Sequence, residues 1–172
     1  CNAAYGLNGW LGLATIGLDA NGHIDRGTSK MNDGYSSYWT FEEKNHVTCQ
    51  EIGHVLGLDH TSEDGSSQQT CMDYSSDSAS QWPNQHDYDQ LLAIYGHTDS
   101  YDSYDNGSGG GGDSGGCTAP PGKGCNKNGV DVVPPMGVRV AGGPHHEIWV
   151  APRGDGGLWI HHIRLAPREL RN

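Results

Sequence analysis

Apolar and polar positions divide this chain into parts. Trp10 to Leu18 (WLGLATIGL) is an apolar run of strand length, and Asp19-Ala20-Asn21-Gly22 behind it carries the turn chemistry of a hairpin. His23 to Met31 follows with a looser alternation that suits an edge strand, and Gly34 to Tyr38 reads as loop. Thr40-Phe41-Glu42-Glu43 is a capping box, since the Thr hydroxyl can take the amide of Glu43 while that carboxylate reaches back. It predicts a helix from Thr40 with Val47, Ile52, Val55 and Leu56 as its apolar side. Gly57 is placed to end that helix in a left-handed conformation.

A Ser/Gln/Gly-rich loop spans Thr61 to Thr70, and a second helix is expected from Asn84, with Tyr88, Leu91, Leu92 and Tyr95 at helical spacing. From Asp99 to Gly116 the composition collapses to Gly, Ser, Asp and Tyr, which cannot offset its ordering entropy by burial. That stretch reads as a linker. Beyond it, Gly137 to Val140, Glu147 to Val150 and Leu158 to Leu165 look like strands between Gly-Pro and Gly-Asp-Gly-Gly turns. The expected plan is a domain over 1–98, a linker over 99–116 and a small β-rich tail over 117–172.

Charge and cysteines narrow the function classes. The formal net charge is −11, which argues against nucleic acid or an anionic membrane as partner. No apolar run reaches the ~20 residues of a membrane span. The chain opens at Cys1 rather than Met, from which an upstream portion is expected. Five cysteines without a Cys-x-x-Cys pair fit disulfides in an oxidising, extracellular compartment. Cys1 is the expected odd one, and Cys117 and Cys125 the expected local pair.

The stretch with chemistry in it is Cys49-Gln50-Glu51-Ile52-Gly53-His54-Val55-Leu56-Gly57-Leu58-Asp59-His60. On a helix, positions 50 and 54 lie one turn apart on one face, so both side chains can reach one ion. Glu51 projects beside them, and the turn at Gly57 lets His60 approach from outside. That is tetrahedral zinc geometry with one position open. The stretch resembles the metzincin pattern His-Glu-x-x-His-x-x-Gly-x-x-His, with Gln50 at its first position. Cys71-Met72-Asp73-Tyr74 resembles the Met-turn of that family, and its Met-x-Tyr order is similar to the astacin and serralysin branches. The resemblance covers roughly residues 1–97, with its motifs confined to 49–74. Alone, a Glu-x-x-His on a helix would be a solvated face and Met72 a core residue; the combination reverses both readings.

The resemblance implies an α/β zincin-like fold, a mixed sheet packed on the active-site helix, truncated at its amino-terminal side. It implies Zn2+ held by Gln50, His54 and His60, with Glu51 moving protons to and from water and Tyr74 steadying the oxyanion. The implied activity is a secreted, monomeric zinc metalloendopeptidase acting on protein or peptide substrates. A disulfide Cys49–Cys71 would tie the helix to the Met-turn.

Gln50 is the departure. It offers a neutral amide oxygen where zinc prefers imidazole or thiolate. His46 lies two turns, about 12 Å, from His54 and cannot replace it on an unbroken helix. The pairs His145-His146 and His161-His162 are expected as exposed strand or turn residues. Two other readings stay open: a metal-poor pseudoprotease acting as a secreted binding module, and a carbohydrate-binding tail with Trp149 and Trp159 as stacking platform.

Overall fold

The computed structural model describes residues 1, 5–98 and 134–171. The expected linker and the Cys117–Cys125 pair lie outside the described residues. The elements run β1 (Trp10–Leu18), β2 (Ile24–Met31), α1 (Phe41–Val55), α2 (Gln85–Tyr95), β3 (Val138–Gly142), β4 (His146–Pro152) and β5 (Leu158–Leu165). The fold is mixed α/β: one five-stranded sheet in the order β2-β1-β5-β4-β3, with two α-helices. Every strand pair is antiparallel, so the expected mixed sheet is corrected.

The tail is not a separate unit either. β5 pairs with β1 along its whole length, from Trp10 opposite Leu165 to Leu18 opposite Leu158. That makes β1 a central strand, which explains its unbroken apolar run: a strand covered on both faces has no need of alternation. β2, at the edge, keeps a half-exposed pattern.

The register sorts residues by face. Gly12, Ala14 and Ile16 of β1 stand opposite Arg164, His162 and Ile160 of β5. His146, Ile148 and Val150 of β4 continue the same rows. This is the face toward α1, because a β-carbon on Gly12 would meet Glu51 and one on Gly27 would meet Val55. On the opposite face, Thr15 hydrogen-bonds His161 Nδ1 at 2.9 Å. Trp149 and Trp159 share that far face, where the Arg153 guanidinium lies 4.9 Å from the Trp159 ring centre.

The helix α1 starts as predicted, with both hydrogen bonds of the capping box formed between Thr40 and Glu43. It ends where Gly57 takes φ +90°. There Leu58 N–H donates to Gly53 O at 3.0 Å and Gly57 N–H to His54 O at 2.9 Å. Those two bonds satisfy carbonyls that a helix end would otherwise leave open. The buried side of α1 differs from the expected one. It consists of His46, Val47, Gln50, Glu51, Gly53 and His54, while Ile52 and Leu56 are 50% and 41% exposed. Polar side chains occupy the face turned to the sheet, so a reading based on apolar periodicity selects the wrong side.

Helix α2 also has a capping box, Asn84 with Asp87, and Tyr95 at its other end donates to Leu56 O at 3.0 Å. Its inward residues are Leu91 and Ile94, whereas Tyr88, Leu92 and Tyr95 are exposed. Two small apolar clusters hold the fold together. Leu11, Met31, Tyr35, Val47 and Ala166 form one. Leu58, Cys71 and Met72, with Cys49, Leu91 and Ile94 against them, form the other. No described helix is long and apolar enough to cross a membrane.

Candidate metal and catalytic site

The second apolar cluster is also the floor of the site. The Cys49–Cys71 disulfide spans 22 positions and ties α1 to the turn that carries Met72. Met72 is fully buried, and its sulfur lies where a β-carbon on Gly53 would be. The turn is fastened from several sides. Asp73 O accepts from His46 Nε2–H at 2.8 Å and from Gln50 Nε2–H at 3.0 Å. The Asp73 carboxylate accepts from Gln68 N–H, Ser75 N–H and Ser80 O–H. His46, two turns from His54 along α1 and so out of reach of an ion it could share with it, thus serves as an anchor.

His54 and His60 come together with ring centres 4.6 Å apart, at nearly right angles. His54 Nδ1–H donates to Leu58 O at 2.8 Å, which places the proton on Nδ1 and leaves Nε2 as the basic nitrogen. His60 Nε2 lies 2.7 Å from the Tyr74 hydroxyl, and its Nδ1 lies 3.4 Å from Glu63. Glu51 sits on the adjoining face of α1, fully buried, with both carboxylate oxygens lacking a hydrogen bond of normal geometry. The expected residues His54, His60 and Tyr74 are therefore neighbours, while the Glu51 carboxyl lies against Gly12 of β1. Gln50 is fully buried, and both halves of its amide are engaged: Nε2 with Asp73 O, and Oε1 with Arg164 Nη1–H at 3.3 Å.

The carboxy-terminal strands bring in residues that the motif does not contain. His162 stacks on His54 with ring centres 4.2 Å apart and 14° between planes. His146 lies 5.2 Å from His60 and stacks on Tyr74 at 5.3 Å. The Arg164 guanidinium lies 4.1 Å from the Tyr74 ring centre. His146 and His161, expected exposed, are both buried; His145 is exposed as expected. A signal was available, because adjacent residues of a strand point to opposite faces. One histidine of each pair had to face inward once these segments formed strands of a covered sheet.

No family model, curated protein or solved structure matches this chain.

The electrostatics follow from crowding and burial. Burial, reinforced by His162, holds the His54 imidazole well below its ordinary range. Burial, with His54, His162 and His146 adding to it, does the same to His60. His162 is pushed down to about 4, mainly by burial. Burial lifts the Glu51 carboxyl well above the usual carboxylate range, opposed by the charge of Arg164. Burial lifts the Tyr74 hydroxyl as well, again opposed by Arg164. Neutral imidazoles with free lone pairs are what a metal ion requires. His60, Glu63 and His146 offer ligand atoms all within 4.8 Å of one another, a group that can hold a metal ion.

Beside the histidines lies a cavity of about 870 Å³, walled by Ile24, Ile94, Ile148, Val150, Ile160 and His162, among others. Its lining is mostly apolar, so it accepts an apolar group next to the cluster.

Proposed function

We propose that this chain is a zinc-dependent metalloendopeptidase of the metzincin kind, with a zincin-like site, working outside the cell. The observation carrying the proposal is the meeting of His54 and His60 at the end of the helix that also buries Glu51, whose carboxylate oxygens lack a hydrogen bond of normal geometry. A buried, unpartnered carboxyl is costly and is retained where chemistry uses it. The donor chemistry supports this reading: His54 keeps its Nε2 free, His60 Nδ1 lies 3.4 Å from Glu63, burial holds His162 low, and His60, Glu63 and His146 bring ligand atoms within 4.8 Å of one another. Zinc, when bound, supplies the Lewis acidity that makes water a nucleophile near neutral pH.

The chain's own residues supply the rest. Glu51 accepts the proton of the attacking water and passes it to the leaving amine. The Tyr74 hydroxyl, 2.7 Å from His60 Nε2, would swing from that contact to donate to the oxygen that gains charge. Arg164, over the Tyr74 ring, adds positive potential at the same place. The apolar cavity beside His162 takes an apolar side chain of the peptide. The Cys49–Cys71 disulfide supports the extracellular setting.

A second reading, a metal-poor binding module, rests on the engaged amide of Gln50. Glu51→Gln separates the two. It is expected to abolish hydrolysis of an unstructured protein substrate while leaving bound zinc unchanged. Hydrolysis that survives Glu51→Gln, or its absence from the unsubstituted protein loaded with zinc, overturns the proposal.

A further inference from the structure

We infer that the ion is held by His60 together with two residues outside the helix motif: Glu63, on the loop behind α1, and His146, at the start of β4. The inference rests on the metal-site reading above and names the ligand set of that site.

Three observations carry it. First, Gln50 is committed elsewhere. Its N–H donates to Asp73 O at 3.0 Å and its oxygen faces Arg164 at 3.3 Å, so ligating an ion would break both contacts in a fully buried place. Second, one carboxylate oxygen faces two imidazoles. Glu63 Oε1 lies 3.4 Å from His60 Nδ1 and 3.2 Å from His146 Nε2. Donors ~2.0–2.1 Å from a tetrahedral zinc stand about 3.3 Å from one another, so two edges of the ligand triangle already have the required length. All three ligand atoms lie within 4.8 Å of one another, and binding has only to draw the two imidazoles together. Those rings meet at 61°, so lone pairs in the two planes can converge on one point. His162 cannot join His54 in that way, because the two rings are stacked with 14° between planes. Third, the three side chains arrive from fastened places. Thr61 N–H donates to Met72 O at 2.9 Å and Ser62 bridges to Asp73, which ties the loop carrying Glu63 to the Met72 turn. His146 opens β4 opposite Arg164 of β5, and its ring stacks on Tyr74. The Tyr74 oxygen, 2.7 Å from His60 Nε2, accepts the proton of that nitrogen and leaves Nδ1, the atom facing Glu63, with the free lone pair.

Two imidazoles and one carboxylate are a donor set that catalytic zinc accepts, with the fourth position left to water. Burial matches those parts. The His60 and His146 side chains are 3% and 5% exposed and that of Glu63 is 54% exposed, so the ion has protein on one side and solvent on the other. His54 is the competing donor, since its ring centre lies 4.6 Å from that of His60. The close group of ligand atoms leaves it out. In this scheme His54 packs between His60 and His162 and holds no metal.

Zinc(II) competition titrations on the full chain test this, with X-ray absorption at the zinc edge counting the bound imidazoles. The unsubstituted protein is compared with Glu63→Ala, His146→Phe, His54→Leu and Gln50→Leu. His146→Phe keeps a ring against Tyr74 without a donor. Glu63 is exposed on its loop, so Glu63→Ala decides the matter should a buried variant fail to fold. Changing a group that only orients a ligand costs ~10–100-fold in affinity. The expected result is a loss of more than ~100-fold in Glu63→Ala and His146→Phe, and of no more than ~10-fold in His54→Leu and Gln50→Leu. The absorption edge should show two imidazoles on the ion in the unsubstituted protein and one in His146→Phe. A loss of ~100-fold or less in Glu63→Ala, or a large loss that falls on His54→Leu instead, overturns the inference and leaves the metal reading standing. No zinc bound by the unsubstituted protein ends both.

Discussion

The carboxyl of Glu51 fills the space that a side chain on Gly12 would take. Gly12 stands in the central strand, opposite Arg164, and its missing β-carbon lets the helix carboxyl lie against the sheet. Gly12→Ala is therefore expected to cost about 1–3 kcal/mol through overpacking. In a Glu51→Ala background the same change should cost far less, because the overlapping atoms are gone. Urea unfolding of the four proteins gives the coupling; additive costs would show that Gly12 matters for some other reason.

Gly53 presents a different balance. Alanine in a helix interior gains about 1 kcal/mol over glycine. Here the added carbon meets Met72 Sδ, in the cluster with Leu58 and Cys71. Methionine adapts better than most side chains, but Met72 is buried beside a disulfide and has little room to turn. Gly53→Ala should destabilise the protein by about 1 kcal/mol net, and should stabilise it once Met72 is replaced by alanine. Thermal unfolding of the matched pairs reads the sign in each background.

Reducing Cys49–Cys71 should lower stability by about 3 kcal/mol, the loop-entropy value for a bridge spanning 22 positions. The effect is expected at the Met72 turn first, since the bridge joins that turn to α1. Urea titrations with and without a thiol reductant measure the total. Peptide mapping without reduction checks the pairing: Cys49 and Cys71 recovered as free thiols would contradict it.

Arg153 closes the far end of the sheet. It donates to both carboxylate oxygens of Asp25, at 2.6 and 3.0 Å, to Leu18 O at 3.1 Å, and to Asp155 at 2.6 Å. It thereby links the β1–β2 hairpin to the β4–β5 hairpin. Lysine cannot reproduce that fork. Arg153→Lys is expected to cost about 2 kcal/mol, most of it absent when Asp25 is already asparagine. A double-mutant cycle by chemical unfolding settles whether the pair acts together.

Much of the fold was legible. β1 has the predicted bounds, and the capping box at Thr40 and the left-handed Gly57 frame α1 as expected. The strands of the tail were legible as strands but not as neighbours of β1. Alternation tells which side chains share a face, and nothing in WLGLATIGL names its partner across the sheet. That one gap hid His146, His162 and Arg164 from the site. The buried side of α1 was misread for a related reason. Glu51, His54 and Gln50 face inward because of what lies opposite them, and periodicity of apolar residues carries no information about that.

The pairing of β1 with β5 also sets an order of events in time. Thr15 and His161, bonded across that pair, are 146 positions apart. Closing so long a loop is entropically expensive and slow compared with forming the β1–β2 hairpin or either helix. During synthesis the helix bearing Glu51, His54 and His60 emerges long before Leu158. A chain in that interval has its motif and its disulfide partners but lacks the strand whose His162 stacks on His54. The last step of folding is thus also the step that brings His146, His162 and Arg164 to the candidate site.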